Sequence, residues 1–490
     1  MLPNGETRRW SHSPMFAAGR ALLLMAGVLG LAPLAMVIGV RAQSGAIDPG
    51  VRGGGAGAGQ PLSGLTANQT TVFNKGKQNF IEVNGVTSIG PLGGATNQTG
   101  NFGLGPRFDS NQCNGCHSQP AVGGSSPQIN GGLNVNLPFG DPYNSDGAIN
   151  DIPFFETFNG PTLVARTPMA LNNLSVVDGH VHQLFTITGR IDAGGCDIAQ
   201  PNFNQAASDD DLINRNTTPM FGAGLLEIIN DRDILSNQAV QCANEAQTGI
   251  CGTANYSSDG TVGRFGWKAQ NRSALIFSAE AYVVEEGVTV EEFPNEQDET
   301  PACLLNALPE DHEDFNGTLP PDRFSGDPDR FANFMRMLAA PIPGPSNAST
   351  LNGAQQFHTV GCDNCHSSTG IAGTTFQFVT PTSYIASLSN QKVNVFSDVL
   401  VHHMGPCLAD GITQGRATGD MFRSAPLWGV GQRIFFMHDG RTSDIVQAIE
   451  DHFCNGNGTY PASEANTVIN NFNAATSKNQ QDLVNFLRTL

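Results

Sequence analysis

The pattern of apolar positions predicts helices near both ends of the chain. At the carboxyl end, an i, i+3, i+4, i+7 spacing places four apolar residues on one helical face: Leu483, Phe486, Leu487 and Leu490. Ser477 and Gln480 form a predicted capping box at the start of this helix. Residues 66–83, with Phe73 and Phe80, predict a second helix near the amino end.

The sequence between these helices is rich in loops, with short stretches that favour strands. Residues 184–188 have β-favouring side chains, whereas residues 291–332 are acidic and rich in proline, which is typical of a loop. The 490 residues include 57 glycines and 29 prolines, a composition that also predicts long loops. The length is sufficient for two or three domains with ample core.

The composition and the charge exclude several classes of protein. Hydrophobic residues make up 39% and charged residues 14% of the chain, which excludes a disordered polypeptide and a coiled coil. The net charge of −19 repels phosphate backbones, and the sequence contains no segregated basic patch. We therefore expect no nucleic-acid partner.

The amino-terminal segment is typical of an export signal. Arg8, Arg9 and Arg20 precede an uncharged stretch over residues 21–40, and small residues around Arg41 resemble a cleavage site. An uncleaved membrane anchor is the alternative, because twenty uncharged residues can just span a bilayer. We expect cleavage, a periplasmic or secreted protein, and no stable membrane insertion afterwards. Cleavage after residue 42 would change the net charge to −22.

Two C-x-x-C-H motifs carry the most specific chemical signal. They are Cys113 and Cys116 with His117, and Cys362 and Cys365 with His366. Two thiols on one turn can add across the vinyl groups of a haem, and the adjacent imidazole then becomes the proximal ligand of the iron. A single motif of this kind could be a redox pair or half a zinc site. Two motifs behind an export signal predict two covalently attached haem c groups.

The other six cysteines belong to a chain that is expected to meet an oxidising compartment. They can form up to three disulfides, with fifteen possible connectivities: Cys196, Cys242, Cys251, Cys303, Cys407 and Cys454. Cys242 and Cys251 are the closest pair along the chain. We interpret these residues as structural cross-links.

A weak internal similarity predicts two copies of one haem-binding module. Residues 76–80, before the first motif, resemble residues 353–357, before the second motif. The first cysteines of the two motifs are 249 positions apart. We predict four regions along the chain: a signal peptide over 1–42, a flexible Gly-rich linker over 43–62, a first haem domain over 63–340 enlarged by insertions, and a second haem domain over 341–490.

The function depends on what occupies the second axial position of each iron. A haem with only a proximal histidine can bind peroxide or oxygen, whereas a haem with two protein ligands mainly transfers electrons. His452 lies on the apolar face of a predicted helix capped by Ser443, together with Ile445 and Ala448. His452 is therefore a candidate distal ligand, and a buried, hydrogen-bonded histidine is the alternative.

Other candidates have weaker signals. Met404 is a chemically reasonable haem ligand, although a methionine there is also typical of core packing. His180 and His182 would share one face of a strand and could approach the first haem. Glu227 ends an apolar run, where a raised pKa would suit proton transfer to peroxide; a solvated turn is the alternative.

Several further segments resemble the bacterial di-haem cytochrome c peroxidase superfamily. They include residues 423–431 (RSAPLWGVG) and 435–441 (FFMHDGR). Residues 222–227 (GAGLLE), 263–269 (GRFGWKA) and 403–410 (HMGPCLAD) resemble more closely its branch of di-haem oxidoreductases, also called thiol oxidoreductases. The resemblance extends from about Thr66 to Leu490, and members of the superfamily catalyse several different reactions.

This resemblance implies a mainly α fold with two cytochrome c-like domains and facing haems, the first domain containing loop-rich and β-containing insertions. In the peroxidases an axial methionine follows the His-Asp-Gly segment, and the same count here reaches His452. Trp267 would then lie between the haems as an electron relay. The resemblance also implies a calcium ion between the domains, although no calcium-binding pattern is readable. No histidine occurs between His117 and His180, where the peroxidases have a distal one.

We therefore expect an exported, peroxidase-like di-haem oxidoreductase. Electrons from a small cytochrome or a cupredoxin would reach the His366 haem, capped by His452, and pass to the His117 haem, which would reduce hydrogen peroxide or activate O₂. A pure electron-transfer cytochrome and an oxygenase acting on an organic substrate are the alternatives. Thiol chemistry is the least favoured, because no thiol outside the haem motifs belongs to a recognisable redox pair.

Overall fold

The computed structural model describes residues 45–84, 104–129, 151–167, 169–170, 173–177, 181–182, 184–186, 195–196, 198–296, 301–303, 309–312, 326–367 and 378–490. Residues Gln43–Leu490 form one compact unit. The predicted signal segment lies outside the described residues. Within the described ranges, no helix is both long enough and apolar enough to cross a membrane.

Helices are the predominant regular structure in the described part of the chain. Its α-helices, in chain order, are α1 (Ala67–Phe80), α2 (Cys113–Cys116), α3 (Phe203–Ser208), α4 (Ala223–Glu227), α5 (Asp231–Ala243), α6 (Glu245–Thr248), α7 (Ala274–Glu285), α8 (Asp327–Met337), α9 (Ala348–Val360), α10 (Ile445–Glu450), α11 (Asn466–Ala474) and α12 (Ser477–Leu487). Helix α8 begins inside the loop predicted over 291–332, because Pro328 in its first turn suits a helix start.

The strands are short and form small antiparallel sheets. They are β1 (Arg107–Phe108), β2 (Leu163–Arg166), β3 (Met169–Ala170), β4 (Asn173–Val177), β5 (Val181–His182), β6 (Phe185–Thr186), β7 (Ile213–Asn216), β8 (Phe378–Val379), β9 (Lys392–Val393), β10 (Val401–His403) and β11 (Met421–Arg423). Strand β2 lies between β5 and β7, and the other described sheets are the pairs β1–β6, β3–β4, β8–β9 and β10–β11. The β-favouring run at 184–188 therefore contributes only the two-residue strand β6.

The helices that precede the two motifs, α1 and α9, each cross a later helix in a similar way. Helix α1 packs against α8, and α9 packs against α12. A Cβ atom on Gly76 would lie 2.3 Å from the carbonyl oxygen of Arg330, and one on Gly353 would lie 1.9 Å from that of Asp482. Only glycine permits such close backbone contact. Phe80 and Phe357, four residues later in each helix, are both fully buried.

The carboxyl-terminal apolar face is confirmed, and its four residues are buried. They join Phe357 and Phe472 in one core cluster. A larger cluster contains Phe80 and Phe334, and it also includes Leu400, which lies beyond residue 340. The division of the haem domains at residue 340 stays a prediction.

Two predicted helix caps are wrong by one residue. Thr476, and not Ser477, caps α12 by accepting a hydrogen bond from Asn479 N. Asp444, and not Ser443, caps α10, because its carboxylate accepts hydrogen bonds from two backbone N–H groups of the first turn. Sequence spacing places a helix start only to within one or two residues when several polar side chains adjoin it.

The Gly-rich segment before α1 packs against the rest of the chain instead of acting as a flexible tether. Asp48 forms a bidentate ion pair with Arg488 of the carboxyl-terminal segment, and it accepts a hydrogen bond from Ile445 N at 2.8 Å. Farther along, Gly57 accepts a backbone hydrogen bond from Ile342 N, also at 2.8 Å. The glycine content predicted a flexible backbone, but it could not predict the contacts of Asp48 and Gly57 with distant residues.

Candidate functional site

The first C-x-x-C-H motif lies on one wall of a cavity. Cys113 and Cys116 begin and end α2, so one helical turn places both unpaired thiols near His117. Cys113 Sγ is 3.2 Å from Glu286 Oε1. The same cavity is lined by apolar and aromatic side chains that include Phe80, Met220, Phe277, Tyr282, Phe331 and Met335. We refer to it as cavity 1.

The second motif lines a second cavity, cavity 2. Cys362 begins a short 3-10 turn, and Cys365 and His366 follow it, again with both thiols unpaired. The lining is largely apolar and includes Phe357, Leu427, Phe436, Ile445, Ala448, Ile449, Val468, Ile469, Leu483 and Leu487. Helices α9, α10, α11 and α12 therefore all contribute to this cavity.

Three histidines have the same hydrogen-bond arrangement. The Nδ1 atom of His117 is 3.1 Å from Gly124 O, that of His366 is 3.0 Å from Phe396 O, and that of His452 is 2.7 Å from Ala448 O. A carbonyl oxygen can only accept, so Nδ1 carries the proton and Nε2 keeps its lone pair. Burial lowers the pKa of His117 and of His366 to about 4, which keeps both imidazoles neutral. Neutral imidazoles held through Nδ1 are typical metal ligands.

Cavity 2 is also lined by two buried arginines that form no ion pair within the described residues. Arg423 and Arg433 line it and are less than a tenth exposed. Neither forms an ion pair with any carboxylate of the described residues. Burial lowers the pKa of Arg433 to about 10, so the group is still charged at neutral pH. A buried guanidinium requires an anion, and the propionates of a haem would supply one. The thiols, the imidazole and the arginines therefore fit a haem c.

Both predicted candidates for the sixth ligand of the second haem line cavity 2. His452 lies just beyond the end of α10, and Met404 directly follows β10. His366 and His452 are close enough for their charges to interact, and this interaction contributes to the lowered pKa of His366. His438 lines the cavity as well. Ligation by His452 or by Met404 stays a prediction.

Among its described lining residues, cavity 1 has no histidine besides His117. His180 lies outside the described residues, and the side chain of His182 is not described. Polar side chains occupy part of the wall instead: Gln270 Nε2 donates to Glu280 Oε2 at 3.3 Å, and Asn271 donates to the same oxygen. The described lining of cavity 1 therefore contains glutamates and the methionines Met220 and Met335 but no second imidazole, whereas that of cavity 2 contains further histidines and Met404.

Glu227 lies outside the described linings of both cavities. Its carboxylate accepts from Arg336 Nε at 2.7 Å and Nη2 at 2.9 Å, and from Ala274 N at 2.9 Å. These contacts join α4 to α7 and α8, which is a structural role. The geometry does not favour the predicted role of Glu227 in proton transfer. Sequence reasoning missed the three glutamates that line cavity 1, Glu280, Glu285 and Glu286.

Trp267 is the one residue in the described linings that faces both cavities. Its Nε1 donates to Asn216 O at 2.7 Å, and its ring makes an edge contact with His438 at 6.3 Å between centroids. His438 in turn stacks on Phe422 at 4.2 Å. These aromatic contacts hold the indole in the wall that the two cavities share, and its role as an electron relay between haems stays a prediction.

Buried carboxyl groups surround the first motif. Glu286 contacts Cys113, and burial raises the pKa of Glu286 to about 7. Asp109 and Glu285 are hydrogen-bonded to each other, and burial raises the pKa of both. Burial also raises the pKa of Glu156 to about 8. No periodic pattern marks these residues in the sequence, because their burial depends on segments far apart along the chain.

A network of buried charges lies beside the second motif. His402 is 2% exposed, its Nε2 is 2.9 Å from Asp398 Oδ2, and its Nδ1 is 2.8 Å from Glu464 Oε2. Burial opposes the charged form, but the neighbouring Cys365 sulfur and the Asp398 carboxylate raise the pKa of His402. Cys365, Asp398 and His402 are close enough to resemble a metal site. Attachment of a haem to Cys365 would remove that thiol from such a site.

The six remaining cysteines form three disulfides, the maximum that the sequence allows. The pairs are Cys196–Cys303, Cys242–Cys251 and Cys407–Cys454. The pair that is closest along the chain is therefore bonded. This arrangement is typical of proteins from oxidising compartments.

Comparison with known proteins identifies one family. Residues 172–490 match the family model described as "Di-haem oxidoreductase, putative peroxidase". The match includes the second C-x-x-C-H motif and begins after the first. The chain matches no curated protein. It is 13% identical to a MauG-like protein associated with microbial copper homeostasis, with a TM-score of 0.28 over 55% of this chain and 89% of that chain. A TM-score this low does not establish a shared fold.

Proposed function

The chain belongs to the di-haem oxidoreductase family, and from that premise we propose that it passes electrons from cavity 2 to cavity 1 and there reduces peroxide or activates oxygen. A haem c held by each C-x-x-C-H motif supplies electron transfer and, where its iron has an open position, binding of peroxide or O₂. The asymmetry of the two cavities carries this proposal. Cavity 2 is lined by His452 and Met404 as well as by the motif, whereas the described lining of cavity 1 offers no second imidazole.

In cavity 2, we assign the proximal position to His366 and the distal position to His452. The backbone contact of each Nδ1 atom fixes the ring and leaves Nε2 available. Arg423 and Arg433 would neutralise the propionates. With both axial positions filled by protein, this site is suited to electron transfer and not to binding a small substrate.

In cavity 1, we assign the role of general acid to Glu280. Gln270 and Asn271 donate to one of its oxygens and so orient the carboxylate. Gln270 Oε1 is buried and has no donor among the described residues, so it can accept a hydrogen bond from a peroxide O–H group. A positioned acid next to a bound peroxide assists loss of the distal oxygen as water.

Trp267 is the proposed electron relay, because its ring faces both cavities. The test is stopped-flow spectroscopy of the half-reduced protein mixed with peroxide, following oxidation of the second haem. Trp267→Phe should slow that oxidation severalfold without changing either haem spectrum. Trp428→Phe is the matched control, since Trp428 is buried but lines neither cavity 1 nor cavity 2. Equal rates for the two variants would contradict the relay.

We further propose an exported protein that receives electrons from a small cytochrome or a cupredoxin. Three disulfides support export, because they persist in oxidising compartments. Mass spectrometry of the protein recovered from the periplasm or medium would test both cleavage after residue 42 and the two covalent haems. A calcium ion stays a prediction of the family resemblance.

A further inference from the structure

The Cys407–Cys454 disulfide joins the two segments that carry the candidate sixth ligands of the second haem. Met404 lies three residues before Cys407, and His452 lies two residues before Cys454. Both candidate side chains line cavity 2. A covalent bond between the segments therefore limits how far the thioether and the imidazole can move relative to each other.

The segment that carries His452 has several other anchors. Asn466 Oδ1 accepts from Cys454 N, and Asn466 Nδ2 donates to Cys454 O, both at 2.9 Å. The ring of His452 is held by Ala448 O. These contacts keep the end of α10 in place without help from the disulfide.

The turn that follows Met404 depends more on the disulfide. Cys407 is exposed, and apart from the sulfur bond its contacts are a hydrogen bond from its N–H to Cys454 Sγ at 3.0 Å and one to its carbonyl from Arg441 Nη1 at 3.0 Å. Arg441 is itself exposed. Opening the disulfide would leave Cys407 held mainly by Arg441, while the N–H of Met404 keeps its hydrogen bond to Asp420 O at 2.9 Å.

Gly405 shows how closely the two segments approach. Its φ is +73°, and a Cβ atom there would lie 2.9 Å from Cys454 Cβ. A side chain at this position would force the turn away from Cys454. Gly405 thus permits the close approach of the two segments that the Cys407–Cys454 disulfide requires.

We propose that the Cys407–Cys454 disulfide is a positioning element for the second haem, which keeps Met404 from replacing His452 as the sixth ligand. The inference rests on the proposed function, which assigns His452 to that iron. Methionine and histidine are both established sixth ligands of c-type haems, so the restraint on the turn decides between them.

The test compares the oxidised holoprotein before and after the disulfide is opened. A phosphine reductant opens it, iodoacetamide blocks the thiols, and the iron is reoxidised after both reagents are removed. Near-infrared magnetic circular dichroism then distinguishes bis-histidine from histidine–methionine ligation, and peptide mass spectrometry shows which cysteines were alkylated. Cys407→Ser/Cys454→Ser gives the same comparison without chemical treatment.

We expect loss of the bis-histidine band and a new histidine–methionine band. Met404→Leu in the Cys407→Ser/Cys454→Ser background should abolish the new band. Cys196→Ser/Cys303→Ser is the control, because that fully buried disulfide joins segments that line neither cavity. Its second haem should keep the bis-histidine band.

Every other outcome contradicts either this inference or the proposed function. An unchanged bis-histidine band after verified alkylation of Cys407 and Cys454 would overturn the inference and leave the proposed function intact. A high-spin haem without a methionine band would also overturn it, because Met404 would then not be the competing donor. If the untreated protein lacks a bis-histidine band, the assignment of His452 in the proposed function fails first.

Discussion

Cavities 1 and 2 begin from the same five-residue motif and differ in what surrounds it. The lining of cavity 1 contains three glutamates and two arginines, whereas that of cavity 2 contains two arginines and one glutamate. Cavity 2 is also lined by further histidines, whereas the described lining of cavity 1 has no histidine besides His117; methionines line both cavities. The motif determines that a haem can be attached, and the neighbouring side chains determine what the haem can do.

The largest expected effect is the loss of the covalent haem from one of the two cavities. Cys116→Ser should leave a covalent haem only at the second motif, and Cys365→Ser only at the first, because each thioether requires its own thiol. Intact-mass measurement of the denatured holoproteins shows how many haems each variant retains. Two haems attached in full to either variant would refute the assigned attachment sites.

The second effect concerns the distal side of cavity 2. His452→Ala should convert one low-spin haem to high spin or to methionine ligation, because the only imidazole proposed for that position is gone. EPR of the oxidised protein and near-infrared magnetic circular dichroism separate these results. Met404→Leu should leave the bis-histidine spectrum unchanged. A spectrum of His452→Ala identical to that of the wild type would eliminate His452 as a ligand.

The third effect concerns the acid in cavity 1. Glu280→Gln should slow peroxide turnover by about 10²–10⁴-fold, which is the usual contribution of a positioned general acid. Glu227→Gln is the matched control, because it removes a carboxylate from the ion pair with Arg336 and not from the cavity. It should reduce stability by about 1–3 kcal/mol and leave turnover unchanged. Equal losses of turnover would contradict the assignment to Glu280.

The smallest effect tests the buried acids near cavity 1. Burial raises the pKa of Glu156 from the ordinary 4.5 of a glutamate to about 8. Between these values the folded protein keeps a proton that the unfolded chain releases, so the free energy of unfolding falls as the pH rises. Glu156→Gln should reduce this fall by about 1–3 kcal/mol. The measurement is the change in Tm between pH 5 and pH 8 for both proteins, and parallel changes would contradict the raised pKa.

Sequence reasoning succeeded where a few adjacent residues determine the geometry. The motif cysteines and histidines lie together because one turn brings them together, and the apolar spacing around Ala448 correctly placed His452 in the wall of cavity 2. The glycines at 76 and 353 were found through a weak local similarity, and both proved to lie at helix crossings.

Sequence reasoning failed where the geometry depends on distant segments. Glu280 acquires its role from Gln270 and Asn271, which reach it only after the preceding loop folds back on α7. Glu227 ends an apolar run as predicted, yet Arg336, 109 residues away, neutralises it. The Gly-rich segment before α1 is fixed by Arg488, whose partner Asp48 no local pattern identifies.

The most direct test of the difference between the cavities is an optical and EPR titration of the holoprotein with peroxide, in the oxidised and half-reduced forms. The account predicts one low-spin haem and one haem that is high spin or becomes so on half-reduction. Only the latter should react with peroxide or bind cyanide, and Cys116→Ser should abolish that reaction. Two low-spin haems that remain inert in both forms would contradict catalysis and favour a pure electron-transfer cytochrome.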